Sequence, residues 1–135
     1  MYLHIVTPEA EVYRKEVDAV VLPTLDGEIG ILPGHIPLMT AIAPGELSAV
    51  RNGVTTSFAV DKGFAQVVSD RVAILSEGAV DMESIDLDAV DEIQINAEKA
   101  LAKARDQERD PAEIEHLETR VRFAIVQRLM KTKQR

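Results

Sequence analysis

The sequence predicts a β + α protein, in which an N-terminal β-sandwich or flattened barrel is followed by an antiparallel two-helix hairpin. Up to about residue 80, short apolar segments alternate with period two between turn signals, which is typical of strands. After residue 85 no glycine occurs and good helix formers dominate the composition. We therefore expect a β domain over residues 1–84 and a helical domain over 85–135.

Five segments of the first part have strand patterns, namely "YLHIV", "EVDAVVL", "VTTSFAV", "FAQVV" and "VAIL". In "VTTSFAV" the alternation predicts that Phe58 and Val60 share one face and that Ala59 lies on the other. Asn52-Gly53 precedes this strand, and such a pair predicts a two-residue hairpin because a type I′ turn needs positive φ at both central residues.

The segment 25–47, "LDGEIGILPGHIPLMTAIAPGEL", is the richest in glycine and proline. These residues predict a shaped backbone that is largely outside the strand ladders. Glu28 and His35 could act there as an acid and a base, so a catalytic loop is one interpretation. A phosphate-binding loop is a second, but the Lys-Ser/Thr of such loops is absent. A docking surface is the third, and we favour it because rigid loops usually carry contact residues.

Two helices are predicted in the second part. The first covers residues 88–105, and the second begins at Asp110-Pro111, with Asp110 as N-cap and Pro111 at the first helical position. The apolar residues expected on the two inner faces are Ile93, Ala97, Ala100/Leu101, Ala104, Ile114, Leu117, Val121 and Ala124/Ile125. A connection near residues 106–110 makes the helices antiparallel.

Composition excludes several classes of function. The net charge of −8 argues against nucleic acid as a partner. No apolar run exceeds four residues, so we expect no direct membrane insertion. The three histidines are too scattered for a metal site, and neither a cysteine nor a serine in a nucleophile motif is present. We therefore expect no catalytic residues and no metal.

Charge is distributed unevenly along the helical part. Six acids lie in residues 81–92 without a base, and six bases lie in the last sixteen residues without an acid: Arg120, Arg122, Arg128, Lys131, Lys133 and Arg135. Acids near a helix start and bases near a helix end complement the helix dipole. In an antiparallel hairpin these two ends are neighbours, so the acids and bases should also attract one another.

The stretch from Asp26 to Gly45 resembles the pattern EGxxGxxPGHxPLxTxxxPG, the hallmark of the epsilon subunit of F-type ATP synthases (delta in mitochondria). The resemblance covers the whole chain, with a sandwich and then a hairpin in the same order. It implies a ten-stranded β-sandwich, a two-helix C-terminal domain and a place on the central stalk, bound to the gamma subunit and to the ring of membrane c subunits. It also implies a subunit without an active site or cofactor.

The same resemblance implies roles for particular residues. Glu28 matches the acidic turn residue that faces the polar loops of the c subunits, and His35 and Thr40 match positions that face gamma. The hairpin of the family can extend along gamma between the alpha and beta subunits and inhibit ATP hydrolysis. The bases matched to an acidic segment of the beta subunit are Arg120, Arg122 and Arg128.

One motif departs from the family. Some bacterial members bind a regulatory ATP through Ile/Leu-Asp-x-x-Arg-Ala, whereas this chain has Ile85-Asp86-Leu87-Asp88-Ala89-Val90. Because Ala89 replaces the cation and acids surround it, we expect no ATP binding. The family implies a peripheral protein on the cytoplasmic face of a bacterial inner membrane, with the stromal face of a plastid thylakoid as the alternative.

Two other classes of function stay open at this point. The chain could be a free-standing adaptor that uses the sandwich as a ligand module and the hairpin as a coiled-coil arm. It could also be a small enzyme that uses Glu28 and His35. Stoichiometric assembly with gamma favours the rotor subunit, whereas turnover by the isolated chain favours the enzyme.

Overall fold

The computed structural model describes residues 1–133. The chain divides into two compact units, Met1–Ser84 and Ile85–Arg135. The first unit contains ten strands: β1 Tyr2–Val6, β2 Glu11–Glu16, β3 Ala19–Thr24, β4 Gly27–Ile31, β5 Leu38–Ile42, β6 Gly45–Arg51, β7 Val54–Val60, β8 Gly63–Val68, β9 Arg71–Ser76 and β10 Ala79–Asp81. A short 3-10 turn, Met82–Ser84, contacts β7 and ends the unit.

The ten strands form two five-stranded layers. Layer one has the order β4-β3-β6-β7-β10, and layer two has the order β5-β8-β9-β1-β2. Pairing is antiparallel except between β1 and β9, and a single pairing of Thr24 with Ile42 joins the two layers. The prediction of a ten-stranded β-sandwich followed by two helices is therefore confirmed.

The core lies between the layers and is built from aliphatic side chains and few aromatic ones. Its fully buried members include Leu3, Ile5, Val20, Leu22, Ile31, Leu47, Phe58, Val72 and Ile74. Tyr13 of layer two meets Phe58 of layer one edge to face, with 5.1 Å between the ring centroids. This contact ties the outermost strand of layer two to the middle of the core.

Local turn chemistry was predicted correctly at Asn52-Gly53. Arg51 pairs with Val54 across this turn, and φ is 51° at Asn52 and 79° at Gly53, as a type I′ hairpin requires. The segment "EVDAVVL" is not one strand, however. It is divided by a turn at Val17 and Asp18, because the amides of both residues bond outside the local strand, to Met1 and Val50 respectively.

The predicted alternation in β7 is confirmed, because Phe58 and Val60 belong to the core cluster and Ala59 does not. Ala59 is nevertheless fully buried, and it pairs with Glu46 of β6 and Val80 of β10. One further expectation about the sandwich was wrong. The glycine- and proline-rich segment 25–47 is mostly inside the ladders, since β4, β5 and the start of β6 run through it. Only the connection 32–37 and the short turns remain outside.

The second unit is a pair of helices, α1 Leu87–Asp106 and α2 Pro111–Lys133. The predicted start of α2 is confirmed, because the Asp110 carboxylate accepts a hydrogen bond from the amide of Ala112 at 2.8 Å and Pro111 is the first helical residue. Asp86 caps α1 in the same way, accepting from the amides of Asp88 and Ala89 at 3.0 and 3.3 Å.

The inner faces of the helices differ in part from those predicted. On α1 the buried residues are Val90, Ala97, Leu101 and Ala104, whereas Ile93 and Ala100 are exposed. Val90 shares the buried face because it lies two helical turns before Ala97 and three before Leu101. On α2 Ala124 is buried and Ile125 is exposed.

Candidate docking surfaces

The turns of the sandwich collect at its two ends. Because the strands alternate in direction, the connections β3–β4, β5–β6, β7–β8 and β9–β10 lie at one end, which we call the Glu28 end. The connections β2–β3, β4–β5, β6–β7 and β8–β9 lie at the other, the His35 end. Glu28 and His35 therefore belong to opposite ends of this unit.

The Glu28 end carries an acidic surface with one prominent apolar residue. Glu28 is exposed at the start of β4, where it pairs with Pro23. Leu25, at the tip of the preceding two-residue turn, is 81% exposed. In the turn beyond β7, Lys62 lies 3.8 Å from Glu77 of the neighbouring connection. This end therefore exposes one apolar side chain among carboxylates, and we treat it as a candidate contact surface.

A buried polar cluster holds two connections together at this end. Asp61 is fully buried, and its carboxylate accepts a hydrogen bond from the amide of Lys62 at 2.8 Å. The Ser76 hydroxyl lies 2.9 Å from the carbonyl oxygen of Asp61 and 2.7 Å from that of Gly78. These bonds give the exposed Lys62 and Glu77 a rigid base. No sequence motif marks this cluster, and it was not predicted.

His35 stands in the β4–β5 connection at the opposite end. Its amide donates to the carbonyl of Leu32 at 3.0 Å, and its Nδ1 lies 2.8 Å from the carbonyl oxygen of Ile36. The ring is half-buried, whereas Ile36 is 75% exposed. The connection therefore presents an apolar tip, and the histidine ring lies against its backbone.

The outer side of layer two carries an exposed apolar face, which consists of Met39, Ala41, Phe64 and Leu75. Ala41, Phe64 and Leu75 form one row across β5, β8 and β9, because Phe64 pairs with both of the others. Met39 is 69% exposed, Phe64 60% and Leu75 58%. Contiguous exposed apolar side chains of this kind mark an interaction site.

Thr40 points to the other side of β5. By alternation it shares the core-facing side with Leu38 and Ile42, and its pairing partner Ala65 is fully buried. The Thr40 hydroxyl donates to the carbonyl of Ala41 at 3.4 Å, and the side chain is half-buried. The outward position on this strand belongs to Met39, which the sequence analysis did not select.

Polar residues of β1 and β2 border the apolar face. His4 Nε2 lies 3.0 Å from a carboxylate oxygen of Glu11, and Arg14 Nε donates to the Tyr2 hydroxyl at 2.6 Å. The hydrogen bond to Tyr2 is the main cause that raises the pKa of Arg14 above its ordinary value. On β1 the residue that pairs with Leu75 of the apolar face is Val6, so these polar side chains lie beyond it on the same sheet.

The predicted attraction between the acids of α1 and the bases of α2 is confirmed for one pair, Arg128 with Asp91. Arg122 is half-buried, and its guanidinium donates to the Thr119 hydroxyl at 3.4 Å. Arg120 is exposed. Nearer the helix connection, Arg105 pairs with Glu118 at 3.1 Å. Lys131 and Lys133 lie in the last turn of α2, and Arg135 lies outside the described residues.

The segment that departs from the ATP motif forms the start of α1. Asp86 is the N-cap, and Ala89 donates its amide to the Asp86 carboxylate. A carboxylate at this place neutralises the positive end of the helix dipole. An anion approaching this helix start would therefore meet a negative charge before it reached the amides.

Acid–base chemistry between Glu28 and His35 does not fit this geometry. Glu28 lies near the beginning of β4 and His35 beyond its end, and a strand advances about 3.3 Å per residue, so the two backbones are at least ~10 Å apart. Within residues 1–133, no group of three or more histidines, aspartates or glutamates is placed to hold a metal ion. Neither described helix is long and apolar enough to span a membrane.

Sequence comparison assigns this architecture to a family. The family described as "ATP synthase, Delta/Epsilon chain, beta-sandwich domain" matches residues 1–82. The ATP synthase epsilon chain of Herpetosiphon aurantiacus is 42% identical over 99 residues, which is 73% of each chain. That of Chloroflexus aggregans is 42% identical over 104 residues, covering 77% of this chain and 70% of the relative.

A solved structure agrees with this assignment. A chain of the Euglena gracilis mitochondrial ATP synthase, in a complex of OSCP, F1 and c-ring, superimposes with a TM-score of 0.63 and 25% identity, covering 94% of this chain and 78% of that one. The ten-stranded sandwich and the pair of helices define a protein of the sandwich-plus-hairpin class. The chain belongs to the ATP synthase delta/epsilon family and is a relative of the epsilon chain.

Proposed function

We propose that this chain is the central-stalk subunit of a bacterial ATP synthase, which couples ion flow to ATP synthesis and has no catalytic residues or cofactor of its own. The observation that carries the proposal is the exposed apolar face of a sandwich that belongs to this family. In this role, residues 1–84 dock on gamma and the c-ring and residues 85–135 regulate. The protein is peripheral, on the cytoplasmic face of the inner membrane.

The apolar face is the proposed gamma-docking surface. Met39, Phe64 and Leu75 are exposed and would be removed from water when a partner covers them. Burial of apolar surface stabilises such a complex by roughly 25 cal/mol per Å². His35 and Thr40 belong to the same proposal. His35 holds the connection that leads into β5, and Thr40 lies on β5 beside Met39.

A charge placed on this face tests the proposal. Phe64→Lys is expected to abolish co-purification with gamma while the melting temperature changes little, because Phe64 is already 60% exposed. Val54→Lys is the matched control, since Val54 is 66% exposed on a strand of layer one. His35→Ala and Thr40→Ala should weaken binding to a smaller degree. Unchanged gamma binding by Phe64→Lys would show that gamma docks elsewhere.

The Glu28 end is the proposed seat on the c-ring. Its exposed carboxylates and Leu25 suit a partner with basic and apolar loops. Glu28→Lys should loosen the soluble sector from the membrane and reduce ion-coupled ATP synthesis. Asp70→Lys is the control, because it reverses an exposed charge in the β8–β9 connection at the His35 end. Equal loss of coupling in both variants would argue against a specific role of Glu28.

The hairpin is the proposed inhibitor of ATP hydrolysis, with Arg120, Arg122 and Arg128 directed at an acidic segment of the beta subunit. Reversing all three charges should raise hydrolysis, most clearly at low ionic strength. Removal of the hairpin should do the same, and the cut belongs after Ser84. A cut after Ala79 would remove most of β10 and the buried Met82 and would damage the sandwich.

The adaptor and the enzyme make different demands. The enzyme needs Glu28 and His35 within hydrogen-bond reach of one substrate, and they belong to opposite ends of the sandwich. The adaptor would not assemble stoichiometrically with gamma, alpha and beta.

We also propose that the chain does not bind ATP, so calorimetry of the full-length protein with millimolar ATP should give no saturable heat. Tight binding would show that other residues replace the cation missing at Ala89.

A further inference from the structure

Arg128, one of the bases assigned to inhibition, is already engaged within the hairpin. Its guanidinium donates to the Asp91 carboxylate across 37 residues of sequence, from the last third of α2 to the first half of α1. Both side chains remain partly exposed, at 40% for Arg128 and 53% for Asp91. The pair therefore joins the two helices at the end of the hairpin opposite their connection.

This ion pair has a counterpart that lacks any assigned role in inhibition. Arg105 and Glu118 form an interhelical pair at 3.1 Å near the connection between the helices, and their exposures of 58% and 47% are similar. Both pairs hold α1 to α2. Of these two pairs, only Arg128 with Asp91 contains a guanidinium that, on the proposed function, must reach an acidic segment of the beta subunit.

We infer that Asp91 is an intramolecular competitor for Arg128 and thereby sets the threshold of inhibition. This inference rests on the proposed inhibitory role of the hairpin. While this pair joins the two helices, the carboxylate of Asp91 neutralises Arg128 and accepts a hydrogen bond from one of its nitrogens. The acidic partner gains the full charge and all donors of this guanidinium only when the pair separates, so each contact weakens the other.

The size of the effect follows from the exposure of the pair. Partly exposed ion pairs contribute little to stability in water. Loss of one such pair changes an equilibrium constant about two- to five-fold. Ionic strength screens charges at this exposure, so the change should shrink as salt is added. Asp91 is thus a positioning residue that adjusts inhibition, and it is not itself a contact with the catalytic subunits.

The test uses assembled ATP synthase with the full-length chain and measures ATP hydrolysis against salt. Asp91→Asn should lower hydrolysis about two- to five-fold at low ionic strength, and the difference should vanish at high salt. Asp91→Glu keeps the carboxylate and should behave like the unaltered chain. Glu118→Gln is the matched control, because it removes the interhelical pair of Arg105 with Glu118 and frees no inhibitory base.

The Arg128→Gln background separates this inference from the proposed function. There, adding Asp91→Asn should change nothing further. If Arg128→Gln raises hydrolysis but Asp91→Asn leaves it unchanged, competition by Asp91 is wrong and the inhibitory role stands. If Glu118→Gln lowers hydrolysis as much as Asp91→Asn, general loosening of the hairpin replaces competition. If neither Arg128→Gln nor reversal of all three bases affects hydrolysis, the inhibitory role itself fails.

Discussion

The two units of this chain bury different kinds of side chain. The buried positions of the sandwich are mostly valine, leucine, isoleucine and phenylalanine, packed between two hydrogen-bonded layers. Half of the buried helical positions named for α1 and α2 are alanine: Ala97, Ala104 and Ala124 accompany Val90, Leu101 and Val126. Because stabilisation scales with the apolar area removed from water, a buried position of the hairpin contributes less on average.

On the proposed function, this difference suits the different tasks of the two units. A surface that must hold two partners in a fixed relation benefits from a densely packed support, since close-packed interiors transmit displacement without yielding. A regulatory element must leave one arrangement for another, which is possible only when the two states lie within a few kcal/mol. The contrast predicts large, global effects of sandwich substitutions and smaller, local effects of hairpin substitutions.

The largest expected effect is that of Phe58→Ala. Phe58 is 2% exposed and meets Tyr13 from the other layer, so its removal leaves a cavity between the layers and should cost about 3–5 kcal/mol of unfolding free energy. Urea denaturation followed by far-UV circular dichroism measures the loss. A loss of about 2 kcal/mol or less, the value expected for Leu101→Ala in the hairpin, would mean that the sandwich core is as loosely packed as the hairpin.

Gly63→Ala should have the next largest effect, a loss of about 3 kcal/mol of unfolding free energy. A Cβ at Gly63 would lie 1.9 Å from the carbonyl oxygen of Leu75 and 2.7 Å from the Cα of Ser76, so the β8–β9 ladder would have to separate. Gly30→Ala is the matched control, because a Cβ there meets nothing within 4 Å. If thermal melting shows the two variants to be equally stable, backbone proximity does not limit residue 63.

Leu101→Ala tests the same comparison in the hairpin. Leu101 is the largest buried side chain of α1, and its truncation should cost about 2 kcal/mol, the low end for such changes, because the alanine-rich surroundings can close around the gap. Hydrogen exchange should accelerate in α1 and α2 only. Accelerated exchange in β1–β9 as well would show that the two units unfold together.

The smallest effect is expected for Asp110→Ala. Its carboxylate caps α2 through the amide of Ala112, and loss of such a cap costs about 1 kcal/mol. Asp110→Asn should keep most of the stability, because asparagine is an equally good N-cap. Helix content measured against temperature distinguishes the two. Equal melting of the alanine and asparagine variants would remove the cap from the list of stabilising contacts.

Features set by neighbouring residues could be predicted from the sequence, and those set by distant residues could not. Asn52-Gly53 and Asp110-Pro111 carry their own backbone requirements, so the turn and the helix start were predicted where they occur. The apolar face depends on Phe64 pairing with both Ala41 and Leu75, from strands on either side. Alternation alone does not say which side of three such strands meets the core.

The hairpin illustrates the same limit. Opposite charges at the two ends of the helices predicted an attraction, but not that Asp91 would be the partner of Arg128. The buried row of α1 was misplaced because Val90, Ile93 and Ile95 are all apolar, and periodicity cannot rank three candidate faces that differ by one or two residues. Packing of one helix on the other decides between them.

The direction of the strands has a mechanical consequence. Between the Glu28 end and the His35 end, the strands of each layer run side by side, and ladder hydrogen bonds lie perpendicular to antiparallel strands. A force along the strands therefore loads all bonds of a ladder at once in shear, whereas a force across them would open the bonds one after another. On the proposed function, a load carried along the strands would act on this stiff direction of the sandwich and would be transmitted with little deformation.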